Sequence, residues 1–281
     1  MKHYGETIKE LRVSRNLSQQ ELCKGIMSRS NLSRFENQEY VAGFDKVIQL
    51  LDSLGVEMDE FLYITNDYQI SGYEKYYSQL IYAENRRNSV ELTQTAAAIK
   101  LAAEKHPTRR FYELYLLSQM ALLESNLSSE LTIDQISSQM RPVLLDTENW
   151  LFADFRRLNN FLRIFNVEEA IFLYGRAVKE FEKYEEFPRE NNIRIYLALN
   201  LGQLLVEHGQ GEKAAFYYEE AKDYAGRKNK LFQKLTIEAA LEKVTQTQID
   251  HQYVKGFSEL LTVLDEMGYE DTVSALKNYH N

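Results

Sequence analysis

Apolar residues recur along this chain at helical rather than alternating spacing. In "YGETIKELRVSRN", Ile8 and Leu11, with Tyr4, share one face of a first helix. "LSQQELCKGI" follows. Ser18 is placed to cap a second helix, and Glu21, three residues on, reaches back to the Ser18 amide as a capping box. After a turn around Gly25–Met27, Ser28 caps a third helix within "MSRSNLSRFENQ". At about 100° per residue, Leu32 and Phe35 point one way. Ser30, Ser33, Arg34 and Asn37 point the other, with Arg29 and Asn31 on the flanks. "FDKVIQLLDSLGVEMDEFL" adds closing helices, and from residue 76 helix follows helix. Three prolines and twelve glycines in 281 residues leave few breaks. No alternating Val/Ile/Thr-rich runs separate Gly-type turns, so the pattern predicts an all-α chain.

The later helices repeat. "LALNLGQLLVEHGQGEKAAFYYEEAKDY" (197–224) resembles a tetratricopeptide repeat, with Asn200, Leu201, Gly202, Gly209, Ala214, Tyr217, Tyr218 and Ala221 at the expected places. Small residues let two antiparallel helices approach, and aromatics fill the space between units. A weaker copy lies 44 residues earlier, with Ala170, Tyr174 and Ala177 matching Ala214, Tyr218 and Ala221. About five helix pairs in a right-handed solenoid are expected, closed by a cap helix near "EDTVSALKNYH". In such arrays the first helix of each pair lines a groove. On 187–208, Asn192, Tyr196, Asn200 and Gln203 form a polar stripe. The same offset earlier gives Glu148, Phe152, Arg156 and Asn159, with Asn160 and Arg163 beside them. Asn and Arg there suit the backbone of an extended peptide, and Phe152 and Phe155 its apolar side chains. A solvated helix face would carry a similar stripe, so both readings stand here. Most of the 19 tyrosines are read as packing between helices.

Charge separates the two regions. Residues 1–37 hold seven Lys/Arg against four acids, net +3; the remaining 26 basic and 38 acidic residues give −12 and a total of −9. A basic head on an acidic body suggests that the head alone meets a polyanion. No apolar run of membrane-spanning length and no leader are visible, and Cys23 is the only cysteine, which points to the cytoplasm. Cys23 is read as a packing thiol rather than a redox centre, which would need exposure. The histidines (His3, His106, His208, His251, His280) are scattered, with no metal-ligand pair, phosphate loop or nucleophile elbow. An enzyme is not expected, nor a cofactor or metal.

The motifs "LSQQEL", "SRSNLSRFEN" and "LLDSLGVEMDEFL" make residues 4–64 resemble the five-helix domain of the Cro/phage-repressor class, although the turn "ELCKGIMS" is one residue shorter than usual. That resemblance implies that Ser18 and Gln19 hold a phosphate. Arg29, Ser30, Asn31, Ser33 and Arg34 would face bases or nearby phosphates, and Asn37 and Arg15 further phosphates. It also implies a structural Arg12–Glu36 ion pair rather than an Arg12–DNA contact. Together with the repeats, "LCKGIMSRSNLSRFEN", "FDKVIQLLDSLGVEMDEF" and "WLFADFRRLNNFLRIF" resemble the Rgg (MutR) branch of the peptide-responsive RNPP regulators. The organisation expected is a helix-turn-helix domain over 1–65, a linker over 66–75 and a repeat domain over 76–281. The resemblance implies quorum sensing: a homodimer joined through the repeats, double-stranded DNA with a palindromic promoter site, and a short hydrophobic signalling peptide. The peptide would lie on Phe152, Arg156, Asn159, Asn160, Arg163, Asn192, Tyr196, Asn200 and Gln203. The alternative is an interaction scaffold with no regulated DNA binding, which has no need of Arg29, Asn31 and Arg34 on an outer face.

Overall fold

The computed structural model describes residues 2–187, 192–245, 261–270 and Val273, and it contains no strand among them. Two compact units divide between Ser78 and Gln79.

The first unit holds α1 (Tyr4–Ser14), α2 (Gln19–Leu22), α3 (Arg29–Glu36), α4 (Phe44–Leu54) and α5 (Met58–Thr65). The caps read from the sequence set its starts. Ser18 Oγ accepts from the Glu21 amide at 3.2 Å while the Ser18 amide donates to the Glu21 carboxylate at 2.7 Å. Ser28 Oγ accepts from the Asn31 amide at 3.2 Å. Each such cap contributes about 1 kcal/mol. Ile8, Leu22, Leu32, Phe35, Leu50 and Phe61 form the centre of the core, with Cys23 buried among them as a small packing residue. Gly5 matters because α1 crosses the end of α3 backbone to backbone: a Cβ there would lie 1.9 Å from the Phe35 carbonyl oxygen. Tyr4 sits at the margin of this core, with its ring 5.6 Å from that of Phe61.

α6 (Gly72–Asn85) begins inside the segment expected as linker, so residues 72–75 are helical. In the second unit α7 (Ser89–Lys105) packs on α8 (Arg109–Glu124), which reaches α9 (Ile133–Leu145). α10 (Phe152–Phe161) ends in a 3-10 turn, Leu162–Ile164, and leads to α11 (Val167–Phe181). α12 (Ile193–Glu207), α13 (Gly211–Arg227) and α14 (Leu231–Thr245) follow. α10 packs beside α12, and α12 also meets α14, so these three form one layer. α11 and α13 form the other, joined where the rings of Tyr174 and Tyr217 meet edge to face at 5.1 Å.

The repeat positions pack as their chemistry requires. Ala170, Tyr174 and Ala177, and likewise Ala214, Tyr218 and Ala221, are buried. Gly202 admits the Tyr218 ring: a Cβ there would come within 2.1 Å of Tyr218 Cε1. Two expectations fail. Phe155, read as a surface for a peptide's apolar side chains, is 1% exposed and packs against the rings of Trp150 and Phe181 inside the core. The second failure is Glu148. α10 starts at Phe152, where the Asp154 carboxylate accepts from the Leu151 amide at 2.7 Å, so Glu148 is not on the helix stripe. It sits in the preceding loop, and its carbonyl accepts from Arg176 at 2.8 Å. The cap helix expected near 270–280 lies almost wholly outside the described residues.

Candidate DNA-reading face and groove

α3 is anchored by two side chains alone on its apolar side, Leu32 and Phe35, both buried. Its other side carries exposed Arg29, Ser30, Arg34 and Asn37, with Asn31 and Ser33 half-buried. Arg34 leans toward the C-terminal end, where it donates to the Glu39 carbonyl at 3.5 Å and lies over the Tyr40 ring. Arg29 marks the N-terminal end, and Arg15, at the close of α1, is exposed as well. A guanidinium at each end of a short polar helix fits a strongly anionic groove edge.

The angle of α3 against α1 and α2 is set by one carboxylate. Glu36, buried at the end of α3, accepts from Nε of Arg12 at 2.6 Å and from its Nη2 at 2.9 Å. A third N–H of Arg12 donates to the Leu17 carbonyl at 2.8 Å, at the turn into α2. The pairing with Glu36 raises the Arg12 pKa further. Gln19 completes the lock, donating to Glu36 at 2.8 Å. The carboxamide assigned to a phosphate is therefore engaged inside the head, and the Ser18 hydroxyl oxygen is engaged by its cap.

In the second unit, the two stripes run side by side on α10 and α12. Asn200 donates to the Asn159 side-chain oxygen at 3.0 Å and to its carbonyl at 3.3 Å. Tyr196, partly exposed, accepts from Gln233 of α14 at 3.4 Å. Arg156 and Asn160 are half-buried on α10. Asn192, just before α12, keeps its Oδ1 buried with no hydrogen-bond partner among the described residues. A buried acceptor left unpaired costs about 1–3 kcal/mol, so a donor arriving there is favoured. Phe152 extends this surface with aromatic neighbours, Phe187 at 5.1 Å and Tyr184 at 5.9 Å between ring centroids.

At the other end of the stripes charge dominates. Arg163 in the 3-10 turn pairs with Glu207 at the end of α12, 2.6 Å away, and with Glu124 at the end of α8, 3.3 Å away. Gln203 donates to Glu207 at 3.1 Å. Glu84 of α6 faces Glu124 and Arg163. Burial, then repulsion from Glu124, pushes its carboxyl up to about 7 against the opposing pull of Arg163. Burial raises Glu124 as well.

Residues 99–278 match the family described as "HTH-type transcriptional regulator Rgg, C-terminal domain", and residues 8–61 match the helix-turn-helix family. The chain belongs to the Rgg family. It is a family of transcriptional regulators, not of enzymes. Solved structures share the fold across nearly the whole chain. A candidate transcriptional regulator from Listeria monocytogenes EGD-e has a TM-score of 0.74 at 22% identity, covering 99% of this chain and 97% of its own. The SHP pheromone receptor Rgg2 of Streptococcus dysgalactiae has 0.66 at 15% identity, covering 99% and 98%. Bacillus thuringiensis PlcR, solved with the peptide PapR7 and DNA, has 0.66 at 15%, covering 97% and 99%.

Within this Rgg chain the sequence reading missed the Gln19–Glu36 bond, the Tyr184 and Phe187 rings beside Phe152, and the carboxylates around Arg163. Only Tyr184 and Phe187 left a local signal, two aromatics three residues apart after α11. The others join segments far apart in the chain. No helix among the described residues is long and apolar enough to cross a membrane.

Proposed function

We propose that this Rgg chain reads a palindromic promoter duplex with α3, as a cytoplasmic homodimer, and that a short apolar peptide on the α10–α12 stripes alters that reading. The observation that carries the first half is the outward side of α3, polar and cationic, with Arg29, Arg34 and Asn37 exposed. Arg pairs with guanine edges and Asn with adenine, so this side chain set has the donors and acceptors a major groove requires. Gln19 and Ser18 act as fixtures of α2 in this reading, and Arg15 supplies charge at the backbone.

For the groove, the support is the joined amides of Asn159 and Asn200, the Asn192 acceptor that has no partner among the described residues, and the aromatic surface around Phe152. Amides serve a peptide backbone whatever its sequence, and aromatics favour apolar side chains. The relatives solved as a pheromone receptor and with peptide and DNA favour the same arrangement. The peptide acts by preferring one arrangement of the repeats over another, since equal affinity for both would change nothing.

The test is selection of duplexes from a randomised pool by the full chain. Enrichment of two inverted half-sites, spaced by about one helical turn or a multiple, is expected. A pool that emerges without an enriched sequence overturns the reading and favours the scaffold.

A further inference from the structure

The repeat copies more than its buried positions. Phe172 of α11 and Phe216 of α13 stand 44 residues apart at equivalent places, and they are 65% and 66% exposed. Packing accounts for the buried alanines and tyrosines of the repeat, but within the fold it does not account for two outward phenylalanines. Large exposed apolar groups in register mark an interaction surface.

The charges two turns beyond them differ in sign. Lys179 follows Phe172 by seven residues and Asp223 follows Phe216 by seven, so each shares its helix face with a phenylalanine. Both are exposed. One turn before the rings stand Glu168 on α11 and Glu212 on α13, with exposed Lys213 beside the latter. We infer that the outer face of α11 and α13 is where a second copy of this chain docks, α11 of one copy on α13 of the other. This inference rests on the homodimer in the proposed function and names its surface.

The charge pattern selects that occupant. α11 and α13 run in the same direction, each antiparallel to the α12 between them. A two-fold axis along these helices, lying in the interface, carries α11 of one copy onto α13 of its partner with direction preserved. Phe172 then meets the partner subunit's Phe216, and Lys179 meets the partner subunit's Asp223; both contacts occur twice. Glu168 faces the partner subunit's Lys213 and Glu212, so the favourable charge lies at the other end. An axis across the helices would set α11 on α11 and bring Lys179 away from any acidic match at that register. The Lys179–Asp223 match makes the face self-complementary under the two-fold along the helices, as an isologous interface needs.

The experiment is sedimentation equilibrium of the full chain without DNA, with circular dichroism as a folding control. Wild type is expected to dimerise. Phe172→Glu and Phe216→Glu should each raise the dimer dissociation constant by about tenfold or more while melting as wild type does, since both rings are exposed. Lys179→Asp and Asp223→Lys should each weaken the dimer, and the two together should restore it. A monomeric wild type, dimers indifferent to both phenylalanine variants, or a double charge reversal no tighter than the singles would each overturn the inference. DNA selection reports separately: a dimer of this kind that enriches no duplex would remove the promoter reading and leave the interface standing.

Discussion

The Asn200 carboxamide donates to Asn159 at 3.0 Å, across the seam between α12 and α10. Two amides assigned to one ligand are thus already paired with each other, and a peptide must compete for them. Exchange of one neutral hydrogen bond for another is nearly balanced, with each net bond contributing about 1 kcal/mol. The pair therefore sets geometry as much as affinity.

Asn200→Ala and Asn159→Ala are each expected to weaken peptide binding by about 1–2 kcal/mol. The double variant should lose less than the sum, because the two act through one bond. Isothermal titration of the full chain with an apolar heptapeptide found by library selection measures all three. Strict additivity would separate the two residues.

Glu36 is the keystone of the head. Its side chain is 1% exposed and receives Arg12 and Gln19. Glu36→Ala leaves the largely buried Arg12 guanidinium without its carboxylate, at a cost of about 3 kcal/mol. Hydrogen exchange of α1, α2 and α3 should show protection falling together, with α12 and α13 unchanged. Gln19→Ala should cost less, about 1 kcal/mol, since Arg12 still satisfies the carboxylate.

Glu84 predicts a pH dependence. Its carboxyl ordinarily titrates near 4.5 and is pushed up to about 7 in the fold by burial and by Glu124. The folded chain thus holds this proton more tightly than the unfolded chain. Stability from this site is full below about 4.5 and is lost as pH rises toward about 7. Glu84→Gln should melt as wild type does at pH 5 and higher than wild type at pH 8. Screening of a half-buried group limits the gain to about 1 kcal/mol, or roughly 2–4 °C in Tm. Parallel melting curves at both pH values would remove the Glu84 explanation.

Gly202→Ala drives a methyl group into the Tyr218 ring. Overpacking of this sort costs about 1–3 kcal/mol, read as a lower urea midpoint. Tyr218→Phe should give no relief, since the atoms met are ring carbons Cε1, Cζ and Cδ1.

Sequence periodicity carried the local structure well. Ser18, Glu21 and Ser28 cap helices through bonds no more than three residues long, so their spacing alone discloses them. The faces of α3 and the Ala–Tyr–Ala spacing of the repeats are likewise local. Arg12–Glu36 spans 24 residues and came from the resemblance, not from spacing. What stayed hidden depends on where helices meet: Gln19 turning inward to Glu36, Glu148 dropped from α10 by the Asp154 cap, and Glu84, Glu124 and Glu207 converging on Arg163. The first and last join distant segments through a single side chain, which leaves no period to read. The Asp154 cap is local, but the regular 44-residue offset of the repeat masked it.

The most direct measurement is the affinity of the full chain for its selected duplex at physiological salt, for wild type, Arg29→Ala and Arg34→Ala. A guanidinium paired with a base edge contributes about 1–3 kcal/mol, so at least one variant should bind about fivefold to a hundredfold more weakly with its melting unchanged. Equal affinity of all three proteins for that duplex would show that α3 does not read DNA.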